Sequence, residues 1–282
     1  MPELPELVVM CEDLRERIVG RPIAEAKAFR PGLLKTVDPP IVSLRGASFA
    51  EVGRRGKHLV LSVSPDLHVV VHLMLAGRLL FCQGGTRVTK ATGFVISFED
   101  GEDLRLVENG HVKRAKVHIV ADPSDVAWIA DAGPEPLSDA FTLVVLQAAV
   151  RERRQQLKKV LTDQRTVVGI GTAYADEICF AARLSPIRYV STLSTEEVER
   201  LYEAIRAVLD WGISEIRSRS GGVLLAGHDR GFLRVYKKTG QPCPVCGAKI
   251  AEIRYAETRT YYCPNCQSAG KTLPDRRSWL TR

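Results

Sequence analysis

The sequence predicts a two-domain α+β protein, and three observations carry that prediction. The hydrophobic pattern starts with a helical period, changes to short β-rich runs near Ile23, and returns to a helical period beyond Gly133-Pro134-Glu135-Pro136. A chain of 282 residues is long enough for two cores, at about 100–200 residues per domain. Four of the seven cysteines stand as Cys243-x-x-Cys246 and Cys263-x-x-Cys266, the spacing of a small metal-built module. The expected divisions are an N-terminal domain at 1–132, a helical domain at 133–240, a cysteine module at 241–270 and a basic tail at 271–282.

The first expected element is a helix from Pro5 to Val19. Leu7, Val8, Met10, Cys11, Leu14 and Ile18 supply its apolar face, and Gly20 ends it. Such a helix aims its N-terminal residues, Pro2 and Glu3, at whatever site exists. Strands are then expected at Lys27–Arg30, Ala47–Gly53, His58–Val63, His68–Met74, Arg78–Phe81, Gly93–Phe98 and Ala115–Val120, punctuated by Gly, Pro and Asp. Their regular spacing fits a sandwich or a barrel. Past the Gly-Pro-Glu-Pro break, helices are expected at Asp139–Arg151, Gln155–Leu161, Ala173–Arg183 and Thr195–Arg217. The last opens on a cap signal of Ser194 or Thr195 with Glu196 and Glu197. No internal repeat or low-complexity stretch occurs.

Forty basic and 33 acidic side chains give a net charge of +7, which favours a polyanionic partner without identifying one. No apolar run reaches the roughly 18 residues of a membrane-spanning helix, so no membrane partner is expected. The start is acidic and lacks an apolar stretch, so no secretory signal is expected. Together with the odd cysteine count, that reads as a reduced, cytoplasmic protein rather than a disulfide framework. Cys11, Cys82 and Cys179 receive no role.

Met1-Pro2-Glu3-Leu4-Pro5-Glu6 carries the first chemical signal. Removal of Met1 leaves Pro2 as a terminal secondary amine, in a class that titrates near 7.7–8.0 and so has a usable neutral fraction at physiological pH. Such an amine attacks an electrophilic sugar carbon and goes on to an iminium, with Glu3 one peptide away as general acid or base. The alternative is structural, because proline and glutamate also suit the first turn of a helix. Arg54-Arg55-Gly56-Lys57 leads into a strand in which Leu59, Leu61 and Val63 face one way, which points Lys57 inward; a solvated basic loop is the other reading. His72 is either a site residue or a satisfied core histidine. Val167-Val168-Gly169-Ile170-Gly171-Thr172 is a glycine-hinged turn ahead of a helix, able to bring backbone N–H groups up to a phosphate or simply to turn the chain. Cys243, Cys246, Cys263 and Cys266 match a closed, structural zinc site, one Zn2+ per chain. It would fix a hairpin bearing Tyr255, Arg259, Tyr261 and Tyr262, for DNA or for a protein partner.

In this order, the Pro-Glu-Leu-Pro-Glu start, Arg-Arg-Gly-Lys, His-Leu-x-x-x-Gly, Val-Val-Gly-Ile-Gly-x-x-Tyr-Ala-x-Glu and the cysteine ribbon resemble the formamidopyrimidine-DNA glycosylase / endonuclease VIII family over nearly the whole chain. The resemblance implies an N-terminal β-sandwich with a leading helix, then a helical domain with a helix–two-turns–helix motif and a zinc finger. DNA would bind in the cleft between the domains. It implies a bifunctional glycosylase and abasic-site lyase: Pro2 attacks C1′ of a flipped, damaged nucleotide, Glu3 protonates the opening sugar, and β,δ-elimination follows. Lys57 matches a lysine on a phosphate beside the lesion, and Glu6 a supporting carboxylate. His72, Lys158 and Tyr174 match positions that hold the DNA backbone or shape its site, and Leu75 matches the wedge inserted into the gap. The implied partner is damaged DNA, duplex or single-stranded, bound by a monomer. A non-catalytic DNA-binding protein of this fold, or a lyase with little base excision, is the competing expectation.

The chain also departs from that pattern. Thr172 stands where the family has a phosphate-binding asparagine. Thr258 stands where it has the zinc-finger arginine, so Arg259, one residue on, takes that part only if the hairpin carries a bulge. The Arg-Arg-Phe element is missing from Glu108–Arg114, where His111, Lys113 or Arg114 are the candidates. The stretch from Gly221 to Tyr236 is short, which predicts a truncated lesion-covering loop and leaves 8-oxoguanine unassumed as the substrate.

Overall fold

The first helix, α1 (Leu4–Ile18), begins where proline and acid favour a first turn and ends with Arg15 and Arg17 at its negative end. It buries Leu7, Met10, Leu14 and Ile18, one helical face, while Gly20 turns the chain with φ +79°. This computed structural model describes residues 1–151, 153–220, 230–255 and 258–274. The chain forms two compact units, Met1–Ala132 with the stretch that starts at Ile213, and Gly133–Gly212 with the stretch that starts at Arg230.

In the first unit eight strands follow: β1 (Ile23–Ala28), β2 (Phe49–Arg55), β3 (His58–Val63), β4 (Leu67–His72), β5 (Gly77–Gln83), β6 (Thr92–Phe98), β7 (Glu102–Glu108) and β8 (Lys116–Val120). They form two antiparallel sheets, ordered β2-β3-β4-β8 and β1-β6-β7-β5. Leu59, Leu61, Val69, Val71 and Val117 from the first sheet share one core with Phe94, Ile96, Phe98, Leu104 and Leu106 from the second, and α1 joins them. The architecture is therefore a sandwich rather than a barrel. Two bonds clip α1 to β2: Arg15 Nη2 donates to the Val52 carbonyl at 2.6 Å, and Cys11 Sγ to that of Gly53 at 3.3 Å. A short helix, α2 (Ala127–Ala130), follows; Val126 and Ile129 cover the outer face at Val70 and Val120.

The sequence did not predict strand β7, and β1 starts four residues before the expected Lys27–Arg30 strand and ends at Ala28. The charged residues of β7 mask the strand pattern, yet Asp103 and Arg105 are buried there and paired at 2.6 Å. Asp103 also accepts from Ser97 Oγ at 2.7 Å, and Arg105 donates to the Thr86 carbonyl at 2.7 Å, so each charge is satisfied across the sheet or by a loop.

The second unit holds α3 (Leu143–Arg151), α4 (Leu157–Thr162), α5 (Thr172–Ala181) and the first part of α6 (Thr195–Ser220), within which the division between units falls. The predicted cap of α6 is reciprocal: Ser194 N–H donates to Glu197 Oε2 at 2.9 Å, and Glu197 N–H to Ser194 Oγ at 3.3 Å. A two-stranded hairpin, β9 (Ala251–Tyr255) and β10 (Thr258–Tyr262), and helix α7 (Pro264–Ser268) complete the described part. The core of this module joins Phe180 of α5 with Val235, Ile250 and Tyr261. Most of the expected lesion-covering loop (221–229) and most of the basic tail with Trp279 (275–282) lie outside the described residues.

Candidate active site and nucleic-acid contacts

In the first unit the N-terminal motif is buried: Pro2 is covered, and Glu3 is 2% exposed at the head of α1. Glu6, equally buried, accepts the Glu3 N–H on Oε2 at 2.9 Å, which fixes the backbone that carries Glu3. Arg55 pairs with His58, so Gly56 and Lys57 form a two-residue hairpin turn, with Gly56 at φ +56°. Lys57 sits at that turn yet is only 8% exposed.

Across the sheet, the His72 ring lies 4.5 Å from that of His58. Burial pushes His72 down to about 3, and the positive charges of His58, Lys57, Lys116 and the chain's amino terminus push the same way. His72, Lys57 and the amino terminus thus share one electrostatic neighbourhood. His58 is lowered to about 4, again by burial first. Neutral His72 accepts the Met74 N–H on Nδ1 at 3.2 Å, which leaves its proton on Nε2 as a donor.

The loop after His72 presents Leu75, 65% exposed. Gly77 closes this turn with an N–H bond to the Leu73 carbonyl at 2.9 Å, and a Cβ at Gly77 would lie 2.3 Å from that carbonyl oxygen. Gly110 lies beside Ala76, in van der Waals range for an added Cβ at 3.6 Å. The 109–114 loop therefore adjoins the Leu75 loop, and it exposes Val112 at 63%. Sequence analysis did not single out Val112, an apolar residue flanked by His111 and Lys113 in a polar loop. Glu108 holds this loop by accepting Arg114 and Ala115 N–H groups on Oε1 at 2.8 and 2.9 Å, with Arg30 on Oε2 at 2.5 Å.

In the second unit, Gln164 laces the turn between α4 and α5. Its Nε2 donates to the Ile170 carbonyl and its Oε1 accepts the Gly169 N–H, both at 2.9 Å. Gly169 has φ +82°, and Thr172 stands exposed at the start of α5. Glu177 on α5 accepts three backbone N–H groups, from Arg234, Val235 and Tyr236. The four cysteine sulfurs lie within 4.8 Å of one another, with Cys243 to Cys266 at 3.9 Å and Cys246 to Cys263 at 3.4 Å. Tetrahedral Zn–S bonds of about 2.3 Å place sulfurs about 3.8 Å apart, so the set fits Zn2+. N–H groups of Val245 and Cys266 point at Cys243 and Cys263 Sγ at 3.4 and 3.5 Å, as suits thiolates.

Residues 1–114 match the formamidopyrimidine-DNA glycosylase N-terminal domain, 132–221 the H2TH domain of the same enzymes, and 240–269 the zinc finger found in FPG and IleRS. A formamidopyrimidine-DNA glycosylase of Moorella thermoacetica is 37% identical over 260 residues, 90% of this chain and 95% of that one. The chain belongs to the formamidopyrimidine-DNA glycosylase family. One from Desulforamulus reducens is 34% identical over 95% of this chain and all of its own. The Lactococcus lactis enzyme of this family, solved with DNA containing an abasic site, superimposes with a TM-score of 0.85 at 26% identity, covering 94% of this chain and 99% of that one. Its complex with DNA containing an oxidised pyrimidine gives a TM-score of 0.86 at 27% identity, covering 95% and 100%.

Three second-unit residues singled out by the family resemblance take the following places. Lys158 is 7% exposed, and its ammonium is spent inside the protein, 2.7 Å from Asp176 Oδ1 and 2.8 Å from the Arg259 carbonyl. It docks the zinc hairpin rather than facing outward. Tyr174 is fully buried, its ring filling the place where Gly212 has no side chain; a Cβ there would meet the ring at 2.6 Å. The hairpin ladder pairs Thr258 with Tyr255 and Arg259 with Arg254 without a shift. With no bulge, Arg259 falls on the face opposite Thr258.

Proposed function

We propose that the chain is a base-excision-repair DNA glycosylase with abasic-site lyase activity, acting through the Pro2 amine exposed when Met1 is removed. The supporting observation is that the amino terminus and Lys57 both act on the neutral His72 imidazole, with buried Glu3 two residues along the chain from that terminus. In this reading the Pro2 nitrogen forms a bond to C1′ of a flipped nucleotide. The N-glycosidic bond breaks with the base leaving on its bonding pair, and the amine loses its proton. The nitrogen lone pair then expels O4′ from C1′, Glu3 protonating that oxygen as the sugar ring opens, to give the iminium. The iminium acidifies C2′–H, so β-elimination expels the 3′ phosphate and δ-elimination the 5′ phosphate. Lys57 and the Nε2–H of His72 hold phosphate oxygens beside the lesion. Leu75 wedges into the vacated stack, and Val112 on the adjoining loop fills the space beside it. Thr172, at the start of α5, donates to a phosphate, where N–H groups and the helix dipole favour an anion. Cys243, Cys246, Cys263 and Cys266 hold Zn2+, which supplies folding and no chemistry.

The substrates are oxidised or ring-opened bases and abasic sites, and the enzyme works as a monomer in the cytoplasm. A lyase with little base excision is the second reading, favoured by the unbulged hairpin that leaves Thr258 where an arginine clamp would stand. Borohydride trapping on DNA with an abasic site, beside Pro2→Gly and Glu3→Gln, tests the amine. An adduct mapped to Pro2 and lost in Pro2→Gly is expected. No adduct, from protein shown to lack Met1 and to bind DNA, overturns the enzyme reading. Base release from oxidised-pyrimidine and ring-opened-purine duplexes separates the two readings.

A further inference from the structure

Four described non-glycine residues adopt left-handed backbone conformations: Met74, Arg183, Lys237 and Ala269. A β-carbon disfavours this region, so each needs a reason. Ala269 is the cap residue of α7, and Arg183 lies just past the end of α5, where such a conformation commonly closes a helix. Met74 shapes the Leu75 turn. Lys237, at φ +58°, ends no helix; it is the third residue of a turn closed by the Lys238 N–H to the Val235 carbonyl at 3.1 Å, a position that glycine usually fills. It is exposed and has no ion-pair partner among the described residues.

What surrounds Lys237 is aromatic. Its Nζ lies 5.6 Å from the centre of the Tyr236 ring, and that ring packs edge-on against Tyr261 of β10 at 5.3 Å. Two more cations of the same segment lie over rings: Arg234 over Trp211 at 4.4 Å, and Arg230 over Tyr236 at 5.8 Å. Glu177 fixes the backbone from Arg234 to Tyr236 immediately before it. A ring holds a cation in place without neutralising it, whereas a carboxylate would cancel its charge. Lys237 therefore presents a positioned charge with no ion-pair partner among the described residues, from a backbone that glycine would occupy more comfortably.

We propose that Lys237 is a DNA-backbone contact, its ammonium held over Tyr236 to take one phosphate oxygen, and that the strained conformation is retained for this purpose. The inference rests on the DNA-repair reading above. It is tested by the salt dependence of binding to duplexes with and without an abasic-site analogue, for wild type, Lys237→Gly and Lys237→Met, with thermal unfolding of each. Loss of one phosphate contact lowers the slope of log affinity against log salt by about 0.9, which weakens binding about eightfold at 0.1 M salt. Both variants should show that loss on both duplexes. Lys237→Gly should also melt above wild type, because it relieves the backbone, and Lys237→Met should not. An unchanged slope in either variant overturns the contact. A Lys237→Gly melting temperature at or below wild type overturns the strain argument. Wild type that traps on abasic DNA while the slopes stay unchanged refutes the Lys237 inference alone; wild type that neither traps nor binds refutes the parent reading.

Discussion

Replacing Glu177 is the most direct probe of what carries the chain from α5 into the zinc module. Its Oε1 accepts the Val235 and Tyr236 N–H groups, both at 2.9 Å, and Oε2 that of Arg234 at 3.1 Å. Burial pushes its carboxyl up, and these three donors pull it back toward the ionised form. Glu177→Gln can keep the two bonds to its remaining oxygen but turns an NH2 group toward the Arg234 N–H, donor against donor. Leaving one such group unsatisfied costs about 1–3 kcal/mol. Glu177→Ala abandons all three, roughly 3 kcal/mol or more before any cavity cost, against a typical total of about 5–15 kcal/mol. Peptide-resolved hydrogen exchange reads the result locally. At about 1.4 kcal/mol per factor of ten, Glu177→Gln should speed exchange of the 234–236 amides about five- to a hundredfold. Exchange equal to wild type in Glu177→Ala would show that the carboxylate does not hold this segment.

Other perturbations have equally definite outcomes. Folded His58 and His72 stay neutral to about 4 and about 3, whereas an unfolded histidine titrates near 6.5. The unfolded chain binds the extra protons, so their stability contribution is full above pH 6.5 and is lost on acidification, by up to ~1.4 kcal/mol per pH unit for each ring. Urea midpoints between pH 7 and pH 5 measure this, and His58→Phe should make the loss on acidification smaller than in wild type. Leu75→Ala should change stability by no more than ~0.5 kcal/mol, because the side chain is exposed, yet reduce cleavage of lesion duplexes. Gly77→Ala should displace the whole turn, because its Cβ meets the Leu73 carbonyl, and cost ~1–3 kcal/mol as well as activity. Metal analysis should find one zinc per chain, and Cys246→Ser or a strong chelator should remove it, with loss of the hairpin's near-ultraviolet circular dichroism and of DNA binding.

The parts legible in the sequence were those set by local pattern. Strand β3 alternates Leu59, Leu61 and Val63 and falls where expected; the cysteine pairs fix each other; proline and glutamate place the start of α1. What escaped depends on contacts distant in the chain. Strand β7 reads as polar until Asp103 and Arg105 are seen to neutralise each other. Lys158 reads as a surface cation, because its partners lie elsewhere, Asp176 on α5 and the Arg259 carbonyl 101 residues away. Whether Arg259 could replace a clamp turned on one residue of register, which no local pattern encodes. Val112 became visible only when Gly110 was found against Ala76.

The zinc hairpin is wired into the helices that precede it. Asp176 accepts the Tyr261 N–H at 3.2 Å, Lys158 reaches the Arg259 carbonyl, and Gln267 Nε2 donates to the Leu184 carbonyl at 2.9 Å. Excising the finger would strip Asp176 and Lys158 of neighbours at which both are now buried, and would leave the finger with a bare apolar side at Tyr261. Neither fragment would be left with a satisfied surface. A finger of this family joined to other helices would therefore need a new set of partners for these groups, supplied by whatever surface it came to rest on.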